Sequence, residues 1–499
     1  MKNLFLFLVV LLMCSCTTAL KKSDLKVLYV GGSSEWDSYS NPDTATFRKS
    51  VVERMNAFET MLNKYFNSVT VVHANDYTQA LSYAHDVTVM DGTPKVITPR
   101  VTETDAAGNT TGYLAAGYLT EDFDRPMVTI GELGEKLGRR IGLKTDWYCL
   151  CLDADAHHLR KEHPIFRTPF PVDLTMSMKP TPEGAYHYTY YVDGSLPDSI
   201  LMWKVQTKGY MTDKGFRIGM VARPWGFEDS PEAEYISSGV CAKTLDAVAI
   251  GRHGNFLHWG FAASPTYMTE EGQTVLANAI VYITQFAGQT PIARKYNDRL
   301  ATREYLRELK HLATRESYEE RMKSDDEFYA ARLEQQKEVL EKQKRGETLT
   351  SLERQLVGFK RPAQQSFEDY IKRYQRDFFH LFGTNTAAYI KFYDENQDYF
   401  YSEGFYHFEV DEDVKSLGIP NSDKRILDAA IKMLESGKEV EKGKRILARY
   451  TLRDFSTPAE WRKWYKTNKN RIFFTEGGGF LFLVNSREPG ENDYHARNN

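Results

Sequence analysis

The sequence predicts an α/β protein: a flavodoxin-like, three-layer parallel sheet with a β-rich excursion, followed by a charged helical connector and a smaller mixed α+β carboxy-terminal domain. Three observations predict it. Over the first 160 residues, short apolar runs ending in Gly or Asp-Gly alternate with helical patterns, as strands do when helices cover both faces of a sheet. From residue 291 to 375 Glu, Lys, Arg and Gln dominate, and from 376 apolar and aromatic residues return. A chain of 499 residues is also too long for one ordinary core. The net charge of −4 lacks the basic excess of a nucleic-acid binder, so no nucleic-acid partner is expected.

The chain opens with Met1-Lys2-Asn3, an apolar run from Leu4 to Met13, and Cys14-Ser15-Cys16. The run is too short to span a bilayer and has the length of an export h-region. "LLMCSC" resembles a bacterial lipoprotein signal, in which a small residue precedes the Cys that receives the lipid. Ser15 therefore selects Cys16 over Cys14, which follows the bulky Met13. The resemblance implies a signal peptide over 1–16, a linker over 17–24, and a protein held to the membrane through a lipid anchor, in the bacterial cell envelope on the periplasmic or outer-membrane side. A plain secretory signal or an uncleaved anchor is the alternative. The remaining Cys149, Cys151 and Cys241 fit no disulfide framework, and an i,i+2 bridge in a strand would be strained, so they read as buried thiols.

"KVLYVGG" (26–32) is a buried strand ending in a Gly turn. "FRKSVVERMNAFETMLNKYF" places Val51, Met55, Phe58, Leu62 and Phe66 at helical spacing. "SVTVVHA" and "HDVTVMDG" are strands with the short helix "TQALSYA" between them; a polar stretch over 93–123 follows. "PMVTIG" is a strand that turns directly into the helix "ELGEKLGRR", and "TDWYCLCLDA" is the next strand. In a parallel sheet the ligand crevice lies at the carboxyl ends of the strands. Those ends are Gly31–Trp36, Asp91-Gly92, Gly131–Gly134 and Asp153–His158. Residues 163–260 are β-rich, either extending the sheet or standing beside it, and "EEGQTVLANAIVYITQFAG" is an amphipathic helix that closes the unit near 290.

The connector, 291–375, reads as an exposed helical hairpin; its apolar residues are too sparse for a heptad seam. In 376–499, "NSDKRILDAAIKMLESG" is a helix with an Asn/Ser start and a Gly stop. Trp461, Trp464 and Tyr465 share one helical face, as a sugar platform or a core face would.

The order and motifs of 25–290 resemble the class I glutamine amidotransferase-like superfamily, and within it the ThuA-like (trehalose-utilisation) branch. The matching pieces are "KVLYVGG", "DVTVMDG", "HPIF" (His163 to Phe166) and "FLHWGFAASPTYMTEEGQTVLANAIVYI". The amidotransferases carry their nucleophile in Gly-x-Cys-x-Gly at the strand–helix elbow. Here the elbow is Ile130-Gly131-Glu132-Leu133-Gly134, with Glu132 at the Cys position. The partner His falls near Phe261–Ser264, where there is none; His258 is five residues early. A carboxylate does not form a glutamyl thioester, so glutaminase chemistry is excluded.

Other chemistry remains open. Glu132 is the candidate catalytic residue, a general base raised by apolar neighbours, or else a carboxylate stabilised by the following helix N-terminus. Asp153, Asp155 and His157 could hold a divalent metal, or else cap a helix and face solvent. No organic cofactor is expected. Asp91, Arg252 and His253 are candidate ligand-binding residues for a carbohydrate or other small molecule. His253 and His258 face opposite sides of a strand, so at most one lines the crevice.

The leading expectation is a ligand-binding or scaffolding envelope protein, with carbohydrate use implied by the resemblance alone. The alternative is a hydrolase or isomerase acting on a sugar or related metabolite. A third reading gives the connector an envelope protein as partner. Convergence of Glu132, Asp153, Asp155, His157 and His253 on one pocket favours the enzyme; dispersal favours binding or scaffolding.

Overall fold

In strand β1 (Ser23–Gly31), Val27 to Val30 are all buried, because helices cover both sides of it. The computed structural model describes residues 20–34, 44–104, 106, 108, 110–145, 149–183, 185, 196–207, 219–224, 226–227, 229–241, 243–295, 302–402 and 408–487. The signal segment with Cys14 and Cys16, Trp36, and nearly all of "AYHYTYYVDG" lie outside the described residues.

Helix α1 (Thr44–Tyr65) leads to β2 (Phe66–His73), helix α2 (Gln79–Tyr83) and β3 (Val87–Met90). The polar stretch contains a hairpin of β4 (Val101–Thr104) and β5 (Thr110–Leu114), an element the sequence pattern does not reveal. Then come β6 (Met127–Ile130) and helix α3 (Leu133–Ile141). The β-rich stretch supplies β7 (Cys149–His157), β8 (Met176–Pro180), β9 (Ser199–Lys204), β10 (Gly219–Val221), β11 (Ala233–Cys241), β12 (Val248–His253) and β13 (Phe256–Trp259), and helix α4 (Glu270–Ile283) follows.

These strands form one sheet in the order β2-β1-β3-β6-β13-β12-β11-β7-β9-β8, with β10 beside β7. The first five are parallel, with Val30 opposite Met90, Met90 opposite Thr129 and Thr129 opposite His258. From β12 onward every pairing is antiparallel. The β-rich stretch thus extends the sheet itself. It also reverses β7, which runs against β1, β3, β6 and β13. The end of β12 with Arg252 and His253 therefore lies at the edge opposite Asp91 and Gly131, whereas His157 of β7 stands opposite Ser238, which pairs with Val248, and so is level with the carboxyl end of β6 but separated from it by three strands. A buried apolar strand reads alike in either direction, so the expectation that this strand runs parallel to the others is corrected here; Asp153–His158 stands at the same end of the sheet as Asp91, on a strand separated from β6 by three others.

The pleat sorts the core into two layers. Val27, Tyr29, Val89 and Val128 meet Phe58 and Leu62 of α1 and Val275, Leu276 and Ile280 of α4. Leu28, Val30 and Met90 meet Leu133, Leu137 and Ile141 of α3. Each such side chain contributes about 1.5–3 kcal/mol when fully buried, and Leu137→Ala would cost about 2–5 kcal/mol through the cavity it leaves. The motif pieces meet inside this core. The buried Asn278 amide accepts from Phe170 N (2.8 Å) and donates to Ile165 O (3.0 Å) and Phe170 O (2.9 Å), satisfying the backbone after "HPIF".

Helix α5 (Arg303–Leu312) precedes α6 (Arg315–Lys344), which folds back on α7 (Ser351–Val357). Gln336 Nε2 donates to the carbonyls of Leu356 and Phe359, closing the end of α7. Helices α8 (Phe367–Tyr374), α9 (Phe379–Phe382) and α10 (Thr386–Asn396) follow. An apolar cluster of Leu306, Leu309, Tyr370, Tyr389, Tyr393 and Phe400 runs continuously across residue 376. A second cluster holds Trp461, Trp464 and Tyr465 against Ile426, Leu427 and Ile446, so these aromatics form a core face rather than an exposed platform. The helix bearing them, Pro458–Asn468, begins with a capping box in which Thr457 and Glu460 exchange hydrogen bonds. The carboxy-terminal part docks on the sheet domain through Asp229, whose Oδ2 accepts from Thr475 Oγ1 (3.0 Å) and Gly477 N (2.9 Å). Among the described residues no helix is long and apolar enough to cross a membrane.

Candidate functional site

The parallel strands end on glycines because their backbones crowd together. A Cβ on Gly92 would stand 2.7 Å from the carbonyl carbon of Gly31. At the elbow, the residue with left-handed backbone is Gly131 (φ 57°), while Glu132 is already helical (φ −62°). The apex of the turn, where an elbow enzyme displays its nucleophile, thus carries no side chain. Glu132 occupies the N-cap position of α3, buried, with no side-chain capping hydrogen bond. Two residues on, Gly134 lets α3 settle onto the sheet: a Cβ there would lie 2.6 Å from His258 Nδ1.

His258 is fully buried, and burial pushes its imidazole down to about 4. Its Nε2 lies 3.1 Å from Met220 O, which can only accept, so the neutral ring carries its proton there. It wedges beneath α3 and offers no acid or base to the crevice.

The crevice is closed by an arginine outside the predicted set. Arg54 of α1 donates to Asp91 from Nε (2.8 Å to Oδ2) and Nη2 (2.7 Å to Oδ1), and from Nη1 to Ala262 O (2.8 Å). Tyr29 OH also donates to Asp91 Oδ2 (2.7 Å). Since β6 lies between β3 and β13, the guanidinium crosses the end of β6 and ties the two flanking strand ends together. Asp91 is fully buried and its carboxylate is saturated by these donors. Beside it, the buried hydroxyl of Thr93 has no partner among the described residues. The signal for Arg54 was present in sequence: it sits on the same helical stripe as Val51, Met55, Phe58 and Leu62, where an unpaired charge would be costly.

Arg252 and His253 stand at the far edge in two buried networks. Arg252 donates from Nε to Glu234 Oε2 (2.7 Å) and from Nη1 to Gly254 O (2.9 Å), with its guanidinium 3.8 Å from the centre of the Phe286 ring. Tyr282 OH donates to Glu234, and His163 Nε2 lies 3.5 Å from it. Burial raises the Glu234 carboxyl, but Arg252 and His163 outweigh burial and hold it well below the usual range. His253 accepts from Lys144 N at Nδ1 (3.1 Å), and its Nε2 is 3.4 Å from Glu232 Oε1. Burial pushes this imidazole down to about 4 against the pull of Glu232. The partners, Glu232 and Glu234 in "PEAEYI", are two carboxylates two residues apart at a strand start, and nothing in the local sequence shows that they are buried.

The proposed metal trio, three alternate residues of β7, is engaged elsewhere. Asp153 accepts from Ala154 N (2.7 Å), Asp155 pairs with Lys179 (2.6 Å), and His157 faces His158, Nδ1 to Nδ1 at 2.6 Å. Burial and the neighbouring His158 push His157 down to about 3. Among the described residues no group of three His, Cys, Asp or Glu side chains is placed to hold a metal ion. Of the candidate residues, the structure places Asp91 and Glu132 at the crevice, Asp153, Asp155 and His157 at the same end of the sheet but separated from β6 by three strands, and Arg252 and His253 at the opposite end; Cys16 lies outside the described residues.

No protein-family model and no curated protein matches the chain. A solved structure of a ThuA-like protein from Bacteroides uniformis is similar over 54% of this chain and 94% of its own, at 9% identity and a TM-score of 0.25. At that distance the similarity assigns no residue a role.

Proposed function

We infer that this chain is a lipid-anchored protein of the bacterial cell envelope whose α/β domain binds or scaffolds and transfers no ammonia. One observation carries the reading: the groups able to do chemistry are spread across and along the sheet rather than gathered at one centre, and the turn that would display a nucleophile is occupied at its apex by Gly131. General acid–base or metal-assisted catalysis needs its groups within hydrogen-bond reach of one reacting centre. Here Arg252 and His253 are at the edge opposite Glu132, and His157 is separated from β6 by three strands. The lipid anchor rests on "LLMCSC". The crevice keeps polar backbone and the Thr93 hydroxyl for a small polar ligand, with a neutral sugar the class that the sequence resemblance implies.

The test uses purified protein lacking residues 1–16, with glutamine, glucose and trehalose as probes. Expected are no ammonia from glutamine, no turnover of either sugar, and a saturable rise in melting temperature with a sugar. Turnover that disappears in Glu132→Gln would overturn the reading in favour of a hydrolase or isomerase. Absence of any thermal shift would remove the carbohydrate ligand from it.

A further inference from the structure

A cavity of about 310 Å³ opens in the helical part of the chain, far in sequence from the sheet crevice. It lies between α5, the end of α8 and α10. Tyr305, Tyr374, Phe378 and Tyr393 wall it, and Leu309 and the buried Gln375 lie beneath. The Gln375 amide is engaged at both ends: it donates to Leu309 O (2.7 Å) and accepts from Tyr393 OH (2.5 Å). These bonds fix the floor and leave Tyr393 to present ring rather than hydroxyl.

The charge at the mouth is asymmetric. Arg373 and Arg376 both line it, and Asp377 is the single carboxylate among the described lining residues. Arg376 approaches Asp377 only at 3.8 Å, and an oxygen of Asp377 also accepts from Phe408 N at 3.4 Å. Arg373 rests over the Tyr374 ring at 5.5 Å and has no carboxylate within ion-pair distance among the described residues. Among the described lining residues, two guanidiniums and one committed carboxylate leave a net positive mouth over an aromatic interior. The volume is that of a small-molecule site, aromatic walls accept the flat face of a ring, and guanidinium forks match carboxylate or phosphate oxygens.

We propose that this cavity is a binding site for a small organic anion, a carboxylate or phosphate carried on a ring, with Arg373 and Arg376 holding the anion and Tyr305 and Tyr374 flanking the ring. The proposal is independent of the sheet crevice and of the lipid anchor.

Calorimetric titration of protein lacking residues 1–16 with glucuronate, glucose 6-phosphate and benzoate tests it, with glucose and inorganic phosphate as controls. At least one of the three ring anions should bind saturably and more tightly than either control; which one binds separates carboxylate from phosphate and sugar from aromatic. Arg373→Gln with Arg376→Gln should weaken that binding roughly tenfold or more, as loss of charge-assisted hydrogen bonds does, with an unchanged melting temperature because both side chains are exposed. Phe392→Leu, in the same cluster but outside the lining, should leave affinity unchanged and controls for general loosening. No binding of any ring anion, binding equal to that of glucose or phosphate, or binding indifferent to the double substitution would overturn the proposal.

Discussion

The guanidinium of Arg54 grips both oxygens of Asp91 in a bidentate pair, at 2.8 and 2.7 Å, and reaches on to Ala262 O across the end of β6. Asp91 is fully buried and the Arg54 side chain is 10% exposed, so the pair is desolvated and neither partner can be rehydrated if the other is lost. Removing one member of such a pair costs about 3–5 kcal/mol. Arg54→Met keeps the apolar stem and should lower stability by about 3 kcal/mol in urea unfolding. A loss below about 1 kcal/mol, the range of an exposed pair, would mean the clamp is dispensable to the fold.

Gly134→Ala should destabilise, although alanine is favoured over glycine by about 1 kcal/mol inside a helix. The new Cβ would stand 2.6 Å from the fully buried His258 ring, which cannot withdraw. Overpacking of this kind costs about 1–3 kcal/mol. A higher melting temperature for the variant would show that α3 does not seat on His258 as described.

Acid should weaken the fold through its buried imidazoles. His258 is pushed by burial from 6.5 to about 4, so the unfolded chain takes up the proton first. Stability from this group is fully present above pH 6.5 and is lost as pH falls towards 4. Between about pH 7.5 and 5.5 His258→Gln should therefore lose about 1.4 kcal/mol less than the unsubstituted protein. The comparison is between variants because Glu476, pushed up by burial to about 7, titrates with the opposite sign in the same window. Equal losses in the two proteins would contradict a neutral, buried His258.

Lipidation should occur at Cys16. Labelled fatty acid should enter the full chain and be lost in Cys16→Ala; incorporation that survives this change but disappears in Cys14→Ala would move the anchor.

Much of the sheet was legible in sequence because a short apolar run that stops on glycine fits a buried strand and little else: "KVLYVGG", "DVTVMDG" and "PMVTIG" became β1, β3 and β6, and "EEGQTVLANAIVYI" became α4. Strand direction was not legible. The alternation in "CLCLDADAH" fits a parallel or an antiparallel neighbour equally, and only the pairing of β7 with β11 decides that it runs against β1, β3, β6 and β13. The candidate site was legible at Asp91 and the elbow, where chain geometry is local. It was not legible where partners lie far apart in sequence: Arg54 with Asp91, Arg252 with Glu234, His253 with Glu232. Charge in an apolar stripe announces that a partner exists without naming it.

Whether the elbow is architecture is decided by the melting temperature of Glu132→Gln at neutral pH. A carboxylate at the start of α3 sits by unpaired N–H groups and the positive end of the helix dipole, worth about 0.3–1 kcal/mol and up to about 2 when partly buried. Gln keeps the shape and removes the charge, so a slightly lower melting temperature is expected. A buried catalytic base is held there at the expense of the fold, and its neutral replacement commonly stabilises. A Glu132→Gln protein that melts higher than the unsubstituted one would contradict the architectural role of Glu132 and make the crevice a catalytic site.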